Sequence, residues 1–137
     1  MTLSDSWGLP FKKPVPDIYA MSLYRITINK KGRYSYSKRP ALFYRLRCHL
    51  VGITKKRPVF IHEMQAEPWL PNALTESSAD GQLKRMNPAI MMKIIEYSKK
   101  TGMRPIDLWG LEWWYYLKTQ HNNPSLWNTI KLLLQNQ

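Results

Sequence analysis

The stretch Pro58–Trp69, PVFIHEMQAEPW, decides how the rest of the chain is read. Val59, Phe60 and Ile61 form a short apolar run of β-branched and aromatic residues, which fits a buried strand. Glu63 follows at once, so the strand carries a carboxylate out of an apolar wall at its carboxyl end. Held there rigidly and partly desolvated, a carboxylate serves as a nucleophile or an acid/base group. An ion pair with a neighbouring arginine is the alternative. Glu67 reads first as a loop acid that satisfies backbone donors, with a sugar hydroxyl as its other partner. Gln65 is a candidate polar contact. His62 is expected on the opposite side of the strand from Glu63 by simple alternation.

The same pattern recurs on both sides of this strand. Asp17–Tyr24, DIYAMSLY, reads as another strand, and residues 26–39 as a polar, basic loop containing Gly32. Residues 40–53 read as a helix: Pro40 sits in the first turn, and Leu42, Phe43, Leu46, Leu50 and Val51 follow helical spacing. Gly52 marks its expected end. Beyond the central strand, a long loop over about 64–86 carries Pro68, Pro71, Ser77, Ser78 and Gly81. A second helix spans about 87–101, capped by Asn87, opened by Pro88 and ended by Gly102. Its apolar side holds Ile90, Met91, Ile94, Ile95 and Tyr97.

Pro105–Trp109, PIDLW, reads as a third strand entering the aromatic segment LEWWYYL. Asn123 and Pro124 open a last helix with Leu126, Ile130, Leu132 and Leu133 on its apolar side. Strand, loop and helix thus occur three times, which predicts an α/β fold on a parallel sheet. The loops after strands are long and the returns from helix to strand are short. Sites in such folds lie at the carboxyl ends of the strands. That points to Tyr24 and Arg25, to Glu63 through Trp69, and to Trp109 through Tyr116.

Trp109, Trp113, Trp114, Tyr115 and Tyr116 are too dense for an ordinary core. Such rings stack on the apolar faces of sugars, and bases or cations are alternatives. Trp114 and Tyr116 are expected to pack inside, and Trp109 to serve the site. Glu112 reads as a loop brace in preference to a second acid. His49, His62 and His121 lack metal-ligand spacing. Serine-nucleophile motifs and phosphate-binding glycine loops are absent. Met86, Met91 and Met92 read as core filler, and Cys48 as a buried structural thiol.

Composition excludes several classes. One cysteine permits no internal disulfide framework and no cysteine-rich metal site. No apolar run approaches the roughly 18–20 residues of a membrane span. No signal peptide is visible, which gives a cytoplasmic protein by default. The net charge is +12. Residues 1–57 hold thirteen Lys/Arg against Asp5 and Asp17, whereas the remainder is close to balance. A basic half raises a nucleic-acid hypothesis, but no recognition-helix or RNA-binding signature accompanies it. Residues 1–16 read as an extension and 17–137 as the domain.

From Asp17 onward the residues resemble the last three βα units of a cellulase-like (β/α)₈ glycoside hydrolase, of the retaining clan with two catalytic glutamates. DIYAMSLYR resembles its sixth strand, PVFIHEMQAEPW its seventh and PIDLWGLEWWYYL its eighth. The resemblance implies a partial TIM barrel, strands 6–8, acting on β-linked saccharides. By it Glu63 is the nucleophile, Tyr24 the tyrosine that hydrogen-bonds it, and Trp109 the floor of the subsite for the cleaved sugar. Gln65, Glu67, Trp69 and Trp113 complete the substrate-binding set. No metal or cofactor is implied. The family's acid/base glutamate follows an asparagine on strand four, and this chain has no Asn-Glu pair. A whole barrel takes about 250 residues. The expected partners are therefore a carbohydrate substrate and either an N-terminal half-barrel or a second copy. Little or no hydrolytic activity is expected of the chain alone.

Overall fold

The computed structural model describes residues 2–4, 16–29, 31–70 and 72–136. In chain order the elements are β1 (Thr2–Ser4), β2 (Ile18–Leu23), β3 (Ile26–Ile28), β4 (Tyr34–Tyr36), α1 (Ala41–Lys55) and β5 (Val59–Gln65). A single 3₁₀ turn at Leu74–Glu76 follows, then α2 (Ala79–Arg85), α3 (Pro88–Lys100), β6 (Ile106–Trp109), α4 (Leu111–Gln120) and α5 (Ser125–Gln135).

Strands β1, β2, β5 and β6 lie side by side in that order, and every neighbouring pair is parallel. The alternation of strands and helices in the sequence therefore gives the parallel α/β fold it predicts. The segment read as an extension supplies a fourth strand, because Thr2–Ser4 pairs with Ile18–Ala20. Residues 1 and 5–15 of that segment, and Pro71 of the long loop, lie outside the described residues.

Helix α3 sits between α1 and α5 and packs on β5, so these three helices form one layer. The core fills the space between that layer and the sheet. Met21, Leu23, Ile61 and Met64 from the strands meet Met91, Ile94 and Ile95 of α3 and Leu126 and Ile130 of α5. Trp113, Trp114 and Leu117 of α4 belong to the same cluster. Burying each such side chain contributes about 1.5–3 kcal/mol. The α3 boundaries follow the sequence: the Asn87 side chain accepts from the Ile90 N–H at 3.0 Å, and Pro88 occupies the first turn. Gly102 leaves the helix at φ 79°, a conformation open to glycine.

Four local expectations are corrected. Residues 26–39 do not form a plain loop; β3 and β4 pair as an antiparallel hairpin. Asn29 closes its turn, its side-chain oxygen accepting from the Lys31 and Arg33 N–H groups at 2.9 and 3.0 Å. The 64–86 loop contains the 3₁₀ turn and α2, which Ser78 caps by accepting from the Gly81 N–H. Gly52 does not end α1; the helix runs on to Lys55, and Lys56 in the left-handed region closes it onto the Gly52 carbonyl. Of the apolar face chosen for α1, Val51 alone is buried. Tyr44 and Val51 are buried, whereas Leu42, Phe43, Leu46, Leu50 and Ile53 are 42–62 % exposed. The α3 side of the helix takes Tyr44, whose ring meets Tyr97 edge-on at 6.3 Å.

Candidate functional site

The carboxyl ends of β2, β5 and β6 bring the candidate residues together through an irregularity in the sheet. Up to Met21 and Ile61 the two central strands pair residue for residue. Ser22 then pairs with Glu63, which leaves His62 as an extra residue in β5. A bulge of this kind re-aims side chains and breaks the two-residue alternation. Consequently His62 and Glu63 both reach Ser22, contrary to the expectation that they face apart.

Glu63 Oε2 accepts from Ser22 Oγ at 2.9 Å and from Tyr24 Oη at 3.2 Å. Ser22 has one hydroxyl proton and gives it to Glu63. Its Oγ therefore accepts from His62 Nε2, 3.1 Å away. His62 Nδ1 lies 3.8 Å from Glu63 Oε1 and makes an ion pair with it when the ring is protonated. Hydrogen bonds to a charged group contribute about 1.5–3 kcal/mol each, so this carboxylate is held in one orientation. Burial pushes the Tyr24 phenol up from 10.0 to about 12, and the charge and hydrogen bond of Glu63 act in the same direction. Tyr24 accordingly remains a hydroxyl donor at neutral pH.

A cleft of about 230 Å³ opens beside this group, lined by Tyr24, Gln65, Glu67, Pro68 and Trp69. Tyr24 joins the cleft to Glu63. Its ring meets Trp69 edge-on at 5.2 Å, and the Trp69 ring is 43 % exposed. Trp109 is 49 % exposed and donates its indole N–H to Glu67 Oε1 at 3.1 Å. Burial raises the Glu67 carboxyl above its ordinary value. The Trp109 N–H opposes that rise, and the Glu112 carboxylate adds to it. Both indoles are thus tethered by a neighbour and still partly open to solvent.

Two members of the expected binding set serve the framework. Gln65 is buried, and its Oε1 accepts from the Arg25 and Ile26 N–H groups while its Nε2 donates to the Ile26 carbonyl. It ties the β3–β4 hairpin to β5 through these three hydrogen bonds. Trp113 is 1 % exposed and donates to Gln82 inside the core. The LEWWYYL segment is helix α4, so alternate residues do not share a face and Trp113 turns inward with Trp114. Tyr116 is half-buried beside His121. Gly110 makes the sharp entry to α4 possible: at φ 143°, a Cβ there would stand 2.9 Å from the Ala66 carbonyl oxygen. That same oxygen accepts the Trp114 indole N–H at 2.8 Å.

Ser22 was missed in the sequence, although it is the one serine in the run IYAMSL. Its signal was its place two residues before Tyr24. Cys48 is half-buried and its thiol is pushed up by burial, which disfavours a reactive thiolate. Among the described residues no group of three or more His, Cys, Asp or Glu is placed to hold a metal ion. No helix among them is long and apolar enough to cross a membrane. No protein-family model, curated protein or solved structure matches the chain.

Proposed function

We propose that the chain is a glycoside-hydrolase-like piece of a (β/α)₈ barrel, corresponding to strands six to eight, that handles β-linked saccharides. The observation that carries this reading is Glu63, a carboxylate at the end of a parallel strand held by Ser22 and Tyr24 beside the exposed rings of Trp69 and Trp109. In the completed enzyme Glu63 attacks the anomeric carbon and forms a covalent glycosyl-enzyme. The leaving oxygen takes a proton from a second carboxyl, and water then releases the sugar. Oε2 is the anchored oxygen, so Oε1 is the attacking one. Sugar rings lie on Trp69 and Trp109.

Retaining hydrolysis needs two carboxyls about 5 Å apart. Burial raises the Glu67 carboxyl above its ordinary value, but its Oε1 is engaged by the Trp109 indole N–H. The acid/base therefore comes from a complementary half-barrel or a second copy. The edge strands β1 and β6, each paired on one side among the described residues, are where such a body joins. By itself the chain turns over no substrate. Aryl β-glycosides test this directly, and turnover by the purified chain that disappears in Glu63→Gln refutes the need for a partner. Titration calorimetry with soluble β-glucans and mannans tests the site itself. Binding is expected, and it falls in Trp69→Ala and Trp109→Ala. Absence of heat with every glycan removes the reading.

The exposure of both indoles also favours a second reading, a non-catalytic carbohydrate-binding module. It differs in one outcome: glycan binding persists, but no completed assembly shows turnover that depends on Glu63.

A further inference from the structure

A second, larger cleft shares Tyr24 with the first. It measures about 560 Å³ and is lined by Tyr24, Thr27, Ser35, Ser37, Lys38 and Arg39, with Pro40 at its end. Its wall is the β3–β4 hairpin. Thr27 pairs with Ser35 across the two strands. Ser35 of β4 and Ser37, Lys38 and Arg39 of the segment after it all contribute to this wall. The lining therefore combines hydroxyls with two cations and contains no carboxylate.

The surroundings reinforce that sign. Residues 18–62 contain eleven Lys/Arg and not one Asp or Glu. A concave surface under such a field concentrates anions. The hairpin is also held in place. Arg25 Nη1 and Tyr97 Oη both donate to the Arg39 carbonyl, at 2.8 and 2.7 Å, and the Arg25 guanidinium lies 3.8 Å over the Tyr97 ring. The Ser37 N–H donates to the Arg25 carbonyl at 2.8 Å. The position of the cationic wall relative to Tyr24 is thus set by the fold.

Building on the saccharide reading above, we propose that this hairpin cleft is a subsite for an acidic sugar unit, bearing a carboxylate or a sulfate ester, in the same glycan whose neutral unit lies on Trp69. Lys38 and Arg39 bind the anionic group, and Thr27, Ser35 and Ser37 bind ring hydroxyls. A nucleic acid fits less well, because it carries a charge at every unit and would bring phosphates against Glu63 and Glu67. A glycan with interspersed acids places charge only where the cations are.

The test is calorimetry on the full chain with four probes: a neutral xylo-oligosaccharide, its glucuronate-substituted counterpart, a sulfated galactan oligosaccharide and single-stranded DNA. The expected result is that an acidic oligosaccharide binds about tenfold more tightly than the neutral one, the size of one charge-assisted hydrogen bond. The preference shrinks at high salt. Lys38→Ala reduces it and leaves neutral binding unchanged, and circular dichroism confirms the fold of the variant. Whichever of the uronate and the sulfate ester shows the preference identifies the acid. Equal affinity for neutral and acidic probes overturns the subsite and leaves the saccharide site standing. Tighter binding of DNA than of any oligosaccharide also overturns it. Binding of neither glycan nor DNA removes both proposals.

Discussion

Helices α1 and α3 lie side by side, and each has apolar residues at helical spacing, yet the two meet different surroundings. Helix α3 buries Met91, Ile94 and Ile95 against β5 and its neighbours. Helix α1 buries Tyr44 and Val51 and turns Leu42, Leu46, Leu50 and Ile53 outward. Their ends differ in the same way. Asn87 caps α3 with its side chain, whereas α1 starts at Pro40 with no side-chain cap. A 3.6-residue period shows that a helix has an apolar face. What lies against that face depends on which elements the topology brings there.

This contrast can be tested by substitution. Ile95→Ala should have the largest effect, a loss of about 2–5 kcal/mol in denaturant unfolding, because it empties a packed site. Asn87→Ala should cost about 1 kcal/mol, the usual value of a lost helix cap. Leu46→Ala should change stability by less than about 0.5 kcal/mol, since the side chain is already in water. A loss at Leu46 as large as that at Ile95 would mean that the outer face of α1 is covered, and the distinction would fall.

The two tryptophans Trp109 and Trp113 make the same point at the site. Both stand within five residues at the end of β6, and both were read as ligand-facing. Trp109 closes the strand and is half open to solvent, its N–H on Glu67. Trp113 lies one helical turn later and points into the core toward Gln82. Reading LEWWYYL as a continuation of the strand end, and not as a helix opened by Gly110, produced that error. Similarly, strict alternation placed His62 away from Glu63. The bulge opposite Ser22 brought them together, and a bulge is set by pairing with another strand, forty residues away in the chain.

Local chemistry accounts for what was legible. Apolar runs, proline and asparagine at helix starts and Gly102 at a helix end are short-range signals. They located β2, β5, β6, α3 and α5 to within a few residues. They also placed Glu63, Tyr24 and Trp109 at strand ends; the hydrogen bond from Tyr24 to Glu63 was expected only from the family resemblance. The hairpin at 26–36 escaped because its strands are three residues each and the turn between them is strongly basic.

The sequence by itself determined the alternating α/β order, the parallel sheet and the delivery of Glu63 from an apolar strand, because each follows from side-chain pattern within a few residues. Tertiary structure alone decided the register that joins Ser22, His62 and Glu63, the inward turn of Trp113 and the outward face of α1. Those outcomes depend on contacts between segments distant in the chain, where packing and hydrogen-bond satisfaction override local preference.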